Sequence, residues 1–134
     1  MDMARYRAVF LEEAAEHLEE MSRGLLELER DPARAEAIDL VFRMAHSIKG
    51  MAASLGYDPI TEVAHRLEDR MQGARSAGRV EAEDLALLFK GLEGLEALLA
   101  AVRDVGQAPP ADPWLLHALA APLGPPKKKA LSPR

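Results

Sequence analysis

His46, Ser47, Ile48, Lys49 and Gly50 place a nucleophile, a cation and a bare backbone in quick succession on a stretch with helical hydrophobic spacing. Successive helical residues are about 100° apart, so Phe42, His46, Lys49, Gly50 and Ala53 share one stripe. That stripe lies one residue from the apolar stripe of Ala45, Ile48 and Ala52, which puts His46 on a flank, partly exposed. Gly50 costs a helix interior about 0.8–1.0 kcal/mol relative to Ala. Omitting a side chain one turn from His46 clears room for an approaching molecule. Core packing asks for none of this. A histidine that attacks an electrophile and then needs a cation beside its new negative charge asks for all of it, and phosphorylation of the imidazole is such a reaction.

A second group follows at His65-Arg66-Leu67-Glu68. His65 and Glu68 are i, i+3 neighbours on a helix. Gly56 and Asp58 bracket a tight turn between this segment and the one carrying His46. His46 lies ten residues before Gly56 and Glu68 ten residues after Asp58, so antiparallel helices bring the two to one height. A carboxylate beside an imidazole accepts its Nδ1–H, fixes the tautomer, leaves Nε2 as the free lone pair and stabilises positive charge as that atom reacts. Lys49 would neutralise the oxygens of the acquired group. Two other readings use the same residues. Carboxylate bundles hold two metals with Glu-x-x-His motifs, but here the order is His-x-x-Glu, it occurs once, and Lys49 would intrude on a cation. A docking-only bundle is the other. His65 has its own alternative, a half-buried bundle histidine bonded to Glu68. His17 and His117 have no constellation and read as structural or solvent-facing.

The elements that must carry these residues are helices. Asp31-Pro32, Asp58-Pro59 and Asp112-Pro113 read as helix starts, with Asp as the cap and Pro at the first helical position. Gly56, Gly78 and Gly106 read as helix ends. This punctuation predicts four long helices, over about 4–29, 33–54, from Pro59 to Gly78, and 81–104. A short fifth covers Trp114 to Ala120, packing Trp114 or Leu115 onto the rest. The expected inward stripes are Tyr6, Val9, Phe10, Ala14, Leu18, Met21, Leu25 and Leu28 on the first helix. Ile38, Val41, Phe42, Ala45, Ile48, Ala52 and Leu55 follow on the second, and Ile60, Val63, Ala64, Leu67, Met71 and Ala74 on the third. The fourth offers Leu85, Leu88, Phe89, Leu92, Leu95, Leu99 and Val102. Short connections make neighbours antiparallel, so the expected fold is all-α, an up-down-up-down four-helix bundle with a short fifth C-terminal helix. Residues 1–121 form that domain. Residues 122–134, rich in Pro and Lys, read as a linker leading to further domains.

Composition narrows the functions open to such a bundle. The 134 residues carry no cysteine, so disulfides, thiolate zinc sites and thiol nucleophiles are excluded. The net charge is −5, and the only charges after residue 121 are Lys127, Lys128, Lys129 and Arg134, so the bundle itself is more acidic still. An acidic body argues against a nucleic-acid backbone as partner. No apolar run approaches the roughly 18 residues of a spanning helix, nor is there a signal-peptide pattern, so the expectation is a cytoplasmic protein. No Gly-rich phosphate cradle and no nucleophile elbow is present, so the chain reads as substrate and carrier rather than as a complete enzyme.

The His46-Ser47-Ile48-Lys49-Gly50 run resembles the histidine phosphotransfer (HPt) family, and within it the phosphotransfer domains at the N-termini of CheA-type chemotaxis kinases. Phe42-Arg43-Met44-Ala45 before it, Ala52 and Leu55-Gly56-Tyr57 after it, His65-x-x-Glu68, and Phe10-Leu11-Glu12-Glu13-Ala14 on an acidic first helix carry the same likeness, over about residues 6–121. The resemblance implies His46 as phospho-acceptor, Glu68 as partner of its Nδ1, and Lys49 and His65 as supporting polar groups. It implies no cofactor on this domain; ATP with its magnesium would sit on a separate kinase domain of the same polypeptide, acting in trans within a dimer, while the isolated domain is monomeric. It also implies transfer to an aspartate of response regulators of the CheY or CheB type. Met51 departs from the small residue frequent in relatives; about 140° from His46, it should touch the bundle edge rather than the reaction.

Overall fold

A computed structural model describes residues 2–121; the expected linker at 122–134 lies outside the described residues. Within them the chain is helical: α1 (Met3–Arg30), α2 (Ala35–Leu55), α3 (Asp58–Ala77), α4 (Ala82–Val105) and α5 (Pro113–Ala120). Contacts run α1 to α2, α2 to α3, α3 to α4 and α1 to α4, with α5 lying across α3 and α4. That closed ring is the expected four-helix bundle with its short fifth helix. Val80 N–H donates to the Pro32 carbonyl at 2.9 Å, tying the α1–α2 and α3–α4 connections together at one end.

The helix ends follow local chemistry. Gly56, Gly78 and Gly106 all stop helices in the left-handed region, as expected. At Gly56 the stop is tight: Tyr57 N–H donates to Ala52 O and Gly56 N–H to Ala53 O, the Schellman pattern. Of the three Asp-Pro pairs, only Asp112 caps a helix as expected, accepting from Trp114 N–H. Asp31 instead ends α1, and its carboxylate accepts from Ala33 N–H within the turn, so α2 starts later, after Arg34. Asp58 is already the first helical residue of α3, with Tyr57 before it. Both positions leave Pro where a missing N–H costs nothing.

Most of the expected stripes are buried in one continuous core centred on Met21, Leu25, Ile48, Ile60, Leu67, Met71 and Leu95. Each such side chain contributes about 1.5–3 kcal/mol of burial. The corrections are at the edges. Tyr6 and Val9 are exposed, at the α1–α2 edge beside Met51 and Leu55. Phe42, Leu55 and Phe89 are half-buried against the core. In α5, Leu115 and Leu119 are buried and Trp114 is exposed. Close helix approach depends on missing side chains: a Cβ on Gly91 would stand 2.5 Å from Leu67 Cδ2.

Among the described residues one charged side chain is buried, and the sequence reading did not single it out. Arg70, 7% exposed, donates through Nη1 to the carbonyls of Leu119 at 2.6 Å and Ala121 at 2.8 Å, and through Nη2 to Asp84 at 2.6 Å. Arg66, one turn earlier, donates to the Leu116 carbonyl at 3.1 Å. The Leu119 and Ala121 carbonyls at the end of α5 have no helical partners, and the Arg70 guanidinium supplies them together with favourable charge, while Arg66 adds a bond to a carbonyl inside the helix. An eight-residue helix is thereby fastened to α3 and α4.

Candidate functional site

The site sits on the α2–α3 flank, about midway along both helices. His46 leaves α2 from its exposed side, and its side chain is 62% accessible. Its Nδ1 lies 2.8 Å from Glu68 Oε2. An ionised carboxylate can only accept, so Nδ1–H donates and Nε2 keeps its lone pair. Nδ1 is engaged, and the Nε2 edge of this exposed ring is the one open to an incoming group.

Glu68, by contrast, is only 13% exposed, and its other oxygen stands 2.6 Å from Lys49 Nζ. The two groups form a close ion pair. Burial pushes the Glu68 carboxyl up, but the contacts and positive charges of Lys49 and His46 outweigh it and hold the group below the usual glutamate range. Glu68 is therefore a carboxylate throughout the neutral range. The Lys49 side chain is 27% exposed on the same flank. The bare backbone expected at Gly50 is present: a Cβ there would meet nothing within 4 Å. The arrangement can hold a neutral imidazole in one tautomer, stabilise positive charge on it, and offer a cation to anionic oxygens arriving at Nε2.

His46, Lys49 and Glu68 thus meet in one cluster. His65 does not join it; its exposed ring points its Nε2 toward Asp69 Oδ2, 3.6 Å away. Met51 is half-buried at the α1–α2 edge beside Tyr6, Val9 and Leu55, away from His46. His17 is half-buried and His117 exposed. Among the described residues no group of three His, Asp or Glu side chains is placed to hold a metal ion. Two neighbours of the cluster were not singled out for the site from the sequence. Phe42 lies nearly parallel to the imidazole, with ring centroids 6.4 Å apart. Arg75 from α3 stands over the Phe42 ring at 4.3 Å. The three-and-four spacing of Phe42 and His46 was a visible signal; the arrival of Arg75 from another helix was not.

The chain is similar to known proteins over most of its helices. The family profile described as the Hpt domain matches residues 5–105. The chain is 36% identical over 107 residues to the chemotaxis protein CheA of Bacillus subtilis, covering 79% of this chain and 16% of that protein. To CheA of Halobacterium salinarum it is 34% identical over 105 residues, covering 78% and 16%. Among solved structures it matches the CheA phosphotransferase domain from Thermotoga maritima with a TM-score of 0.72 and 30% identity, covering 78% of this chain and 99% of that domain. The chain therefore spans about one-sixth of the length of these curated relatives, and most of that solved domain.

Proposed function

The chain belongs to the Hpt domain family, and from that premise we propose that it is the phosphoryl acceptor and carrier of a CheA-type chemotaxis kinase in cytoplasmic two-component signalling, with His46 as the residue phosphorylated. The observation that carries the reading is the His46–Glu68–Lys49 cluster: an exposed imidazole whose Nδ1 is bound to a carboxylate that is itself paired with a partly exposed lysine side chain.

The Nε2 lone pair attacks the γ-phosphorus of ATP held with its magnesium on a separate kinase domain, acting in trans within a dimer. The N–P bond forms as the bond from phosphorus to the ADP oxygen breaks, and ADP leaves with that electron pair. Positive charge appears on the ring, and Glu68 stabilises it through Nδ1–H. Lys49 offsets the charge of the phosphoryl oxygens. In the second transfer a carboxylate of a CheY- or CheB-type response regulator attacks the same phosphorus and the imidazole leaves. Gly50 keeps the approach to Nε2 clear for both partners. His65, 57% exposed on the next stripe, is a peripheral member of this polar surface. No helix among the described residues is long and apolar enough to cross a membrane.

The test is phosphate incorporation from ATP with a separately expressed chemotaxis-kinase core, comparing wild type with His46→Gln. Acid-labile, base-stable phosphate on wild type alone is the expected result. No incorporation with a core shown to be active would point to a docking-only bundle.

A further inference from the structure

The bond to Glu68 holds His46 at Nδ1 and the chain holds it at Cβ, which leaves a smaller swing of the imidazole through coupled rotations about χ1 and χ2. The Nε2 lone pair lies in the ring plane, so its aim depends on that swing. In-line displacement at phosphorus needs the aim fixed. A contact on the face of the ring would supply the missing restraint.

Phe42 makes one. It sits one turn before His46 on the same stripe of α2, its ring 13° from parallel to the imidazole and 6.4 Å away between centroids, within the range of offset aromatic pairs. Phe42 is itself restrained. Arg75, from the last turn of α3, places its guanidinium carbon 4.3 Å from the phenyl centroid, a cation–π distance. Arg75 Nη2 stands 3.5 Å from Asp39 Oδ1, and the second oxygen of Asp39 accepts from Arg43 Nε at 2.8 Å. Asp39, Phe42 and His46 follow one another along α2, and Arg75 reaches both Asp39 and the phenyl ring. We infer that Phe42, held by Arg75, is a positioning residue that fixes the plane of the His46 imidazole for phosphoryl transfer. The inference rests on the phosphotransfer reading above and adds to it the group that sets the ring plane.

The test uses the whole chain with phosphoramidate as a small phosphoryl donor, so that no docking partner is involved. The donor N–P bond breaks as the bond from phosphorus to Nε2 forms, and the leaving nitrogen departs as ammonia with the protons it already holds. Immobilising a side chain is worth about 0.5–1.5 kcal/mol, so Phe42→Leu should react roughly two- to tenfold more slowly. Phe42→Tyr should keep the wild-type rate, and Arg75→Gln should fall between. The readout that a merely structural role would not move is the set of three-bond NMR couplings of the His46 side chain: one rotamer in wild type, averaged in Phe42→Leu, with the melting temperature close to wild type. Wild-type rate and unaveraged couplings in Phe42→Leu would overturn the inference alone. Should Phe42→Leu fail to fold, Arg75→Gln carries the test, and unaveraged couplings there overturn it equally. Wild-type chain that takes phosphate neither from phosphoramidate nor from a kinase core would overturn the phosphotransfer reading and this inference with it.

Discussion

Replacing Glu68 separates the chemistry of the cluster from its architecture. Glu68→Ala removes the acceptor 2.8 Å from His46 Nδ1 and the counter-ion of Lys49. A hydrogen bond to a charged group is worth about 1.5–3 kcal/mol, which at about 1.4 kcal/mol per decade predicts phosphorylation roughly 10- to 150-fold slower. The low end is favoured, since the freed Lys49 ammonium can move wholly onto the phosphoryl oxygens. Glu68→Gln keeps an oxygen acceptor without the charge. Charge-assisted bonds are about twice as strong as neutral ones, so its loss should be roughly the square root of that for alanine. Stability should change by no more than about 1 kcal/mol in either variant, because His46 and part of Lys49 already reach water. The assay is the initial rate of phosphate incorporation from ATP with a kinase core, alongside urea unfolding. The pH dependence adds a sign. Glu68 titrates below its unfolded value, so its contribution is present above the ordinary glutamate range and is lost as pH falls through the depressed folded value. The stability difference between wild type and Glu68→Gln should therefore vanish on acidification. Wild-type phosphorylation in Glu68→Ala would refute the tautomer argument. Loss of cooperative unfolding would show Glu68 to be structural.

Lys49→Ala should lower the phosphorylation rate about tenfold while moving the urea midpoint little, since a partly exposed lysine contributes under about 1 kcal/mol; unfolding of the variant would make Lys49 structural. Gly50→Ala places a methyl in open space, so helix propensity should stabilise the bundle by about 0.8–1.0 kcal/mol. Its transfer to a regulator domain should slow, and an unchanged transfer rate would show that the cleared backbone serves no approach. Arg70→Met leaves Asp84 and the α5 carbonyls without their cation and should cost about 3 kcal/mol by urea unfolding, with α5 amides exchanging fastest. Protection of α5 equal to wild type would refute its fastening by Arg70.

What could be read from the sequence was what depends on local rules and one count. The pairing of His46 with Glu68 required helices that rise evenly at about 1.5 Å per residue from a tight turn, and the two-bond stop at Gly56 provides such a turn. The cap rule misread Asp31 and Asp58 because Asp before Pro suits a turn as well as a helix start; what decides is whether the carboxylate finds its N–H inside the loop, as Asp31 does at Ala33. Arg70 was invisible for a different reason. Two of its partners are backbone carbonyls about fifty residues away, and every residue has a carbonyl, so no side-chain pattern marks them; the third, Asp84, arrives from another helix. Arg75 over Phe42 is the same kind of contact, made between helices by a side chain that looks solvated in isolation. His65 shows where the stripe argument reaches its limit. It lies three residues before Glu68, hence about 60° round the helix from it. Glu68 turns toward α2 and is enclosed; that rotation carries His65 outward, where Asp69 one turn on is the nearest charge. Two residues one turn apart on neighbouring stripes of one helix need not share a target, and only the position of the facing helix decides which of them reaches the nucleophile.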